Sequence, residues 1–442
     1  MSEVTSSGRP VVAVVAYDRD GGSLHAAVSA CDGLRELSVS DRVLIKPNVP
    51  WGSPLSWKAP PYGFATTASV VEEAVRELKD HGCHRLAIGE GSIVNRGLGA
   101  DTAMAFRWTG IDRVARRYGV ELVDLNSGMY DRIDLDGTAV SVASRVMEAD
   151  FLLDLPVLKT HHQATVSLGL KNLKGCLSQQ SRRDFHRGGL DRLIALLGAR
   201  LKPGLTIIDG IYGLERGPEF LGTARHMDLL VAGRDVLACD VVGCGVMGIS
   251  PDEVGHLREY AALTGGSLKL EDIDVRGRAA MEGIRPFERG PAFDRLFQRT
   301  GVTGLSVRPP GVETCSGCTL AMWSALVAFC SDNRNAKLDG VELCCGPTAQ
   351  PTDAARRVLL LGDCAIRGNG AAVNAVAVPG CPLSVRDTYL KLSIRTLGAA
   401  RGLAQLGPRA LRLAGSRLGL HREDFSGYPH YDPAEFRPDD FR

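Results

Sequence analysis

Four cysteines in the last third of the chain stand where thiolate ligands could converge: Cys315 and Cys318 in "CSGC", Cys364 in "GDCA" and Cys381 in "PGCP". The first two form a Cys-x-x-Cys. The others sit beside Gly or Pro, which let backbone approach a metal group closely or fix the loop carrying the thiolate. The chain has 12 cysteines, and in a reducing compartment clustered thiols read as metal or redox ligands rather than disulfides. Four thiolates satisfy either an iron–sulfur cluster or a closed tetrahedral zinc site. A structural zinc usually joins two Cys-x-x-Cys knuckles, whereas here one knuckle is followed by ligands arriving singly, which suits a larger cluster. Cys344 and Cys345 are alternative ligands. Cys330, on an apolar helix, and Cys31, Cys83, Cys176, Cys239 and Cys244 read as small buried hydrophobes.

A second concentration of chemistry lies in "LPVLKTHHQATVSLGLKNLKGCLSQQSRRDFHRGGLDRL". The whole chain has a formal net charge of +1, so no global field selects nucleic acid or a membrane surface and any basic site must be local. Lys159, Lys174 and Arg183, together with Lys46 and Asn48 of "IKPNV", are expected to bind a small anionic substrate. Lys171 would orient that anion, His161 or His162 would donate a proton, and Glu90 or Asp209 would act as base or hydrogen-bond acceptor. The same histidines with Asp154, Asp184, Glu90 and Asp209 could hold a metal, but no HxxxH or HExxH spacing supports it. A solvated basic face is the plain alternative.

These residues need a scaffold, and the sequence supplies one. Apolar runs "PVVAVVAY", "RVLIKPNV", "RLAIGEG", "VELVDLN", "DFLLDLPVLK", "GLTIIDGIYG" and "MDLLVAG" read as strands, several separated by helical patterns such as "TASVVEEAVRELKDHG". Strands alternating with such helices predict an α/β fold: a largely parallel sheet with helices on both faces, plus a smaller C-terminal α/β iron–sulfur domain. In such sheets ligands bind beyond the carboxyl ends of the strands, which places Lys46, Asn48 and Glu90 at a candidate mouth. Expected domains are 1–300, 301–390 with the cysteines, and a helical and extended tail over 391–442. "PPG" at Pro309–Gly311 marks the change in composition. The N-terminus has no apolar run behind positive charge and no stretch long enough to span a membrane, so a cytoplasmic protein is expected.

The blocks "VLIKPNV", "AIGEGS", "ADFLLDLPVLKTHHQATVSLGLKNLKGCLS" and "IIDGIYGLERGP" together resemble the family known as domain of unknown function 362, over about Val43 to Gly277. Many members of that family look like iron–sulfur proteins, some with a fused ferredoxin-like domain, whose CxxCxxCxxxCP run is missing here. The order CxGC, GxC, GCP is instead similar to the proximal cluster pocket of hydrogenase small subunits and of the related complex I subunit. That resemblance implies a 4Fe-4S cluster on Cys315, Cys318, Cys364 and Cys381. The expected function is an iron–sulfur-dependent oxidoreductase acting on a small anionic substrate, with electrons from a ferredoxin-type donor, because no GxGxxG follows a strand to hold a nicotinamide. A cluster-dependent lyase or hydratase using iron as Lewis acid and a non-enzymatic electron carrier are the other readings.

Overall fold

The computed structural model describes residues 8–52, 61–94, 99–185, 189–216, 222–290, 293–308, 316–347, 349–352, 357–369, 375–381, 383–405, 407 and 438–441. Its strands are, in chain order, β1 Val11–Ala16, β2 Arg42–Pro47, β3 Arg85–Glu90, β4 Glu121–Asp124, β5 Tyr130–Leu135, β6 Thr138–Ala143, β7 Phe151–Leu155, β8 Val157–His161, β9 Thr165–Ser167, β10 Leu205–Glu215, β11 Thr223–Gly233, β12 Asp274–Arg276, β13 Thr303–Arg308, β14 Lys337–Cys345, β15 Arg357–Leu361 and β16 Ala375–Val378.

The larger sheet has the order β12-β1-β11-β10-β7-β2-β3-β4, with β8 and β9 extending from β10. β12-β1 and β10-β7-β2-β3-β4 pair in parallel, while β11 runs antiparallel to both neighbours. Such strands are buried on both faces, which is why β10 is buried along its whole length and is mostly apolar, interrupted by Thr206, Asp209 and Glu215. Separate hydrophobic clusters cover the two faces. Helix Ala68–Asp80 shows how one face is closed. The Thr67 side chain caps it by accepting from Val70 N, and Val70, Val71, Ala74, Val75 and Leu78 turn one stripe into the core. Each such side chain contributes about 1.5–3 kcal/mol on burial.

The expected strand Asp150–Lys159 is divided at Pro156 into β7 and β8, because proline has no N–H to give to the ladder. The helical stretch "AFRWTGIDRVARRYG" is likewise split at Gly110, between Thr102–Thr109 and Ile111–Tyr118.

A second sheet, β13-β14-β15-β16, is parallel throughout. Its core gathers Met322, Trp323, Leu326 and Phe329 of helix Ser316–Asp332, and it draws in Phe293 and Leu296 on one side and Tyr389 and Leu392 on the other. The mixed α/β architecture with a largely parallel sheet is therefore the one expected. Among the described residues no helix is long and apolar enough to cross a membrane.

Candidate functional site

β2, β3, β7 and β8 bring the expected mouth residues to one place at the carboxyl edge of the larger sheet, but they arrive as an internal network. Lys46 Nζ donates to Glu90 Oε2 at 2.9 Å and to Pro47 O at 2.7 Å, and both side chains are almost completely buried. Glu90 also accepts from Val49 N at 2.8 Å and Gly91 N at 2.7 Å. Lys159 Nζ donates to Asn48 Oδ1 at 2.6 Å and Phe64 O at 2.8 Å, and lies 5.2 Å from the Phe64 ring centroid. Asn48 Nδ2 donates to Asn172 Oδ1 at 2.8 Å, and Asn172 Nδ2 donates to Asp154 Oδ1 at 2.7 Å. A buried cation needs such partners, since desolvation without them costs several kcal/mol.

Gly175 explains why the "LKG" turn fits over this network. A Cβ there would stand 2.5 Å from Glu90 Oε1 and 2.7 Å from Lys46 Nζ, so only glycine lets the backbone close on the ion pair. Arg182 ties the same turn down by donating to Gly91 O and Asn126 Oδ1.

The buried acids are held unequally. Burial pushes the Asp154 carboxyl well above its usual range against the opposing pull of Lys46, and its Oδ2 has no hydrogen-bond partner among the described residues. Burial raises Asp209 to about 6, against backbone hydrogen bonds from Thr67 (2.7 Å) and Ile211 (3.0 Å). Both Asp209 oxygens are thus held by backbone amides, and the side chain is buried.

The remaining expected residues lie nearer the surface. Lys171 and Lys174 are half-buried and Arg183 is exposed. Lys171 Nζ donates to Ser167 Oγ at 3.4 Å and Arg183 donates to Gln180. His161 and His162 stack, with ring centroids 4.5 Å apart. His161 Nδ1 accepts from Gln163 N (3.0 Å) and Ala164 N (3.1 Å), which puts the ring hydrogen on Nε2. Both His162 ring nitrogens are shut off from solvent and unbonded among the described residues, and burial, aided by Lys171 and Lys174, holds the ring down to about 3. His162 is thus neutral at physiological pH, with both ring nitrogens away from solvent.

Sequence reasoning missed Asn172, which joins both halves of the network, and Asp240. Burial pushes Asp240 up to about 7; it accepts from Gly169 N at 2.7 Å and Leu170 N at 3.0 Å, and so anchors the turn that carries Lys171 and Asn172. The signal was present for both: each is a polar residue set among apolar ones, in "LKNLKG" and in "VLACDVVGCGVM".

The thiols lie at or just beyond the carboxyl ends of the strands of the other sheet. Cys318 lies in the first turns of the helix after β13, Cys345 ends β14, Cys364 follows β15 and Cys381 follows β16. Because β13 to β16 are parallel, all four ends face the same way. The "GDC" and "PGC" segments are tied together reciprocally, Gly380 N donating to Asp363 Oδ1 at 2.9 Å and Asp363 N to Gly380 O at 3.3 Å. Gly362 takes φ +88°, and a Cβ on it would stand 3.5 Å from Cys318 Sγ. Cys318 is thereby brought against the junction of the Cys364 and Cys381 loops. Arg367 Nη2 lies 3.6 Å from Cys364 Sγ.

Cys344 and Cys345 are buried on opposite faces of β14, and burial pushes the Cys344 thiol up to about 11, away from the thiolate form. Cys31, Cys83, Cys176, Cys239, Cys244 and Cys330 are buried, as expected. Among the described residues no three His, Cys, Asp or Glu side chains are gathered tightly enough to hold a metal ion. Cys315 lies outside the described residues.

Comparison with known proteins bears on the first region. The thylakoid-associated protein sll1697 of Synechocystis sp. is 27% identical over 217 residues, a match spanning 48% of this chain and 64% of that protein. Among solved structures, the lactate racemase apoprotein of Thermoanaerobacterium thermosaccharolyticum aligns over 83% of this chain and 72% of its own, with 12% identity and a TM-score of 0.35. Residues 43–245, the segment that contains the whole Lys46–Glu90–Lys159–Asn172 network, match the family described as "Domain of unknown function (DUF362)".

Proposed function

We propose that the chain is a cytoplasmic iron–sulfur oxidoreductase acting on a small anionic substrate and exchanging electrons with a separate ferredoxin-type protein. The observation that carries this reading is the placement of Cys318, Cys364 and Cys381 at one edge of a parallel sheet, with the Asp363–Gly380 pair locking two of their loops together. With Cys315 of the same Cys-x-x-Cys they make a four-thiolate donor set, the number a 4Fe-4S cluster takes. The donor type suits that group: Arg367 Nη2 lies 3.6 Å from Cys364 Sγ, and glycine-flanked loops would let backbone N–H groups approach sulfide. A cluster bound there would supply one-electron transfer.

In the first region Lys171 and Lys174 attract the anion and His161 offers its Nε2 hydrogen. Lys46, Asn48 and Lys159 fix the frame beneath them, and Asp209 is the candidate base. The test is anaerobic purification with iron, acid-labile sulfide and zinc assays. About four irons with matching sulfide are expected, and stoichiometric zinc without sulfide would sink the reading.

A non-enzymatic electron carrier is the second reading. It is favoured by the internal use of Lys46 and Lys159, which removes two of the expected anion ligands from the mouth. The two readings divide on whether small mono- and dicarboxylates or inorganic phosphate shift the melting temperature of the cluster-loaded protein.

A further inference from the structure

The last described turn of the chain, Pro438–Phe441, packs against the carboxyl edge of the larger sheet, far in sequence from everything it touches. Asp440 and Phe441 are almost fully buried. Arg19, in the loop after β1, grips the Asp440 carboxylate with two nitrogens, Nε to Oδ1 at 3.3 Å and Nη2 to Oδ2 at 3.2 Å, and the Tyr212 hydroxyl donates to the same carboxylate. Ser69 Oγ donates to Asp440 O at 3.3 Å, and Arg113 donates to Phe441 O. The Phe441 ring stands edge-on to Tyr62 at 5.5 Å and stacks with Tyr212 at 6.4 Å. A bidentate guanidinium, a phenol on the same carboxylate and an aromatic slot beside them are the parts of a ligand pocket. Its neighbour is the candidate base, since the Asp440 charge is one of the influences pushing Asp209 up.

We propose that Arg19, Tyr212, Tyr62 and Arg113 form a recognition site for a carboxylate carrying an adjacent aromatic group, and that Asp440 and Phe441 of the same chain fill it as an exchangeable plug. Exchange is feasible because the pocket stays compensated when vacated. Arg19 Nη1 keeps Asp228 at 2.8 Å, and Asp228 keeps His226 at 2.8 Å, so no buried charge is stranded. The plug itself is one helical turn. Its grip depends on being tethered, at an effective concentration of about millimolar, and a ligand of the same chemistry competes on those terms. The proposal does not depend on the metal site and goes beyond the reading given above.

The test uses the full chain and a fluorescein-labelled peptide of sequence PDDF, followed by anisotropy. The vacated variant Asp440→Ala with Phe441→Ala should bind the peptide at least about tenfold more tightly than wild type, in which the tethered turn competes. Adding Arg19→Met to that variant should weaken binding by about tenfold or more. Unlabelled 3-phenylpropionate should displace the peptide, whereas PDAA should not. The milder Asp440→Asn variant, which removes one charge and keeps the ring, should bind at a level between the two and serves if the double variant fails to fold. Equal peptide binding by wild type and both vacated variants, or binding indifferent to Arg19, would overturn the proposal.

Discussion

The two parallel sheets use their carboxyl edges in opposite ways. The larger one fills its edge with polar groups bonded to one another, Lys46 with Glu90, Lys159 with Asn48 and Asn172 with Oδ1 of Asp154. The smaller one lines its edge with thiols whose loops are tied by backbone and Asp363, leaving the sulfurs half-buried or exposed. A closed polar network is a device for holding strands in register, because every member removed strands another in low dielectric. Under the proposed reading, the half-buried and exposed thiols of the smaller sheet are instead ligands for an added group. A motif residue can thus be indispensable to the frame without touching a ligand, and the two kinds separate by what each loses on substitution.

The largest expected effect is at the thiols. Cys318→Ser, Cys364→Ser and Cys381→Ser should each remove most of the iron and sulfide from anaerobically purified protein, because a missing ligand opens the site. Cys83→Ser and Cys239→Ser should retain it. Equal retention by all five would erase the distinction between the two edges.

Next comes the ion pair beneath the first edge. Lys46→Met leaves Glu90 buried without its cation and should cost about 3–5 kcal/mol in urea unfolding. The double variant Lys46→Met with Glu90→Gln should recover a good part of that loss, since no uncompensated charge remains. A Lys46→Met variant within error of wild type would mean that the pair reaches solvent and that the edge is open after all.

These tests also mark what the sequence discloses and what it hides. The sheets were legible because strands covered on both faces are predominantly apolar, as "LTIIDGIYGL" and "RVLLL" are. The cysteines were legible because their chemistry is local to each loop. Lys46 and Glu90 were both singled out, yet as lining of a mouth. Their mutual bond spans 44 positions, and nothing in either neighbourhood encodes the partner. The hairpin β5–β6 went unread although its turn is Asp136–Gly137, both with positive φ, the signature of a two-residue hairpin loop. Its strand "YDRIDL" is too charged to stand out by hydrophobic pattern alone. β11 reads as one more strand of the series, and its antiparallel direction is set by the pairing with β10, which composition does not record.

A smaller effect is expected with pH. Burial raises Asp240 to about 7 from an ordinary value of 3.8, so the folded protein holds its proton more tightly than the unfolded chain. The stabilisation linked to that proton is complete below about pH 4 and is lost as pH rises through about 7. Its size is on the order of 2–4 kcal/mol. Asp209, raised to about 6 by burial, adds a loss of the same sign. In denaturation curves taken from pH 4 to 8, Asp240→Asn should fall less steeply than wild type. Parallel curves would mean that Asp240 is ionised in the folded state throughout and that the Gly169 and Leu170 amides compensate its burial in full.

The smallest change in stability belongs to Lys171, and there the comparison is sharpest, because Lys171 and Lys46 both read as anion ligands in the sequence but differ in burial. Lys171 is half-buried and donates to Ser167 Oγ over a long 3.4 Å. Lys171→Met keeps the aliphatic stem at a half-buried position, so unfolding should change by about 0.5 kcal/mol or less. If the anion reading holds, the same substitution should lessen any melting-temperature shift produced by phosphate or a small dicarboxylate, since a charge-assisted contact contributes about 1.5–3 kcal/mol. Iron content should stay at the wild-type level. A Lys171→Met variant that unfolds as easily as Lys46→Met would place Lys171 in the frame, and the first edge would then be structural from end to end.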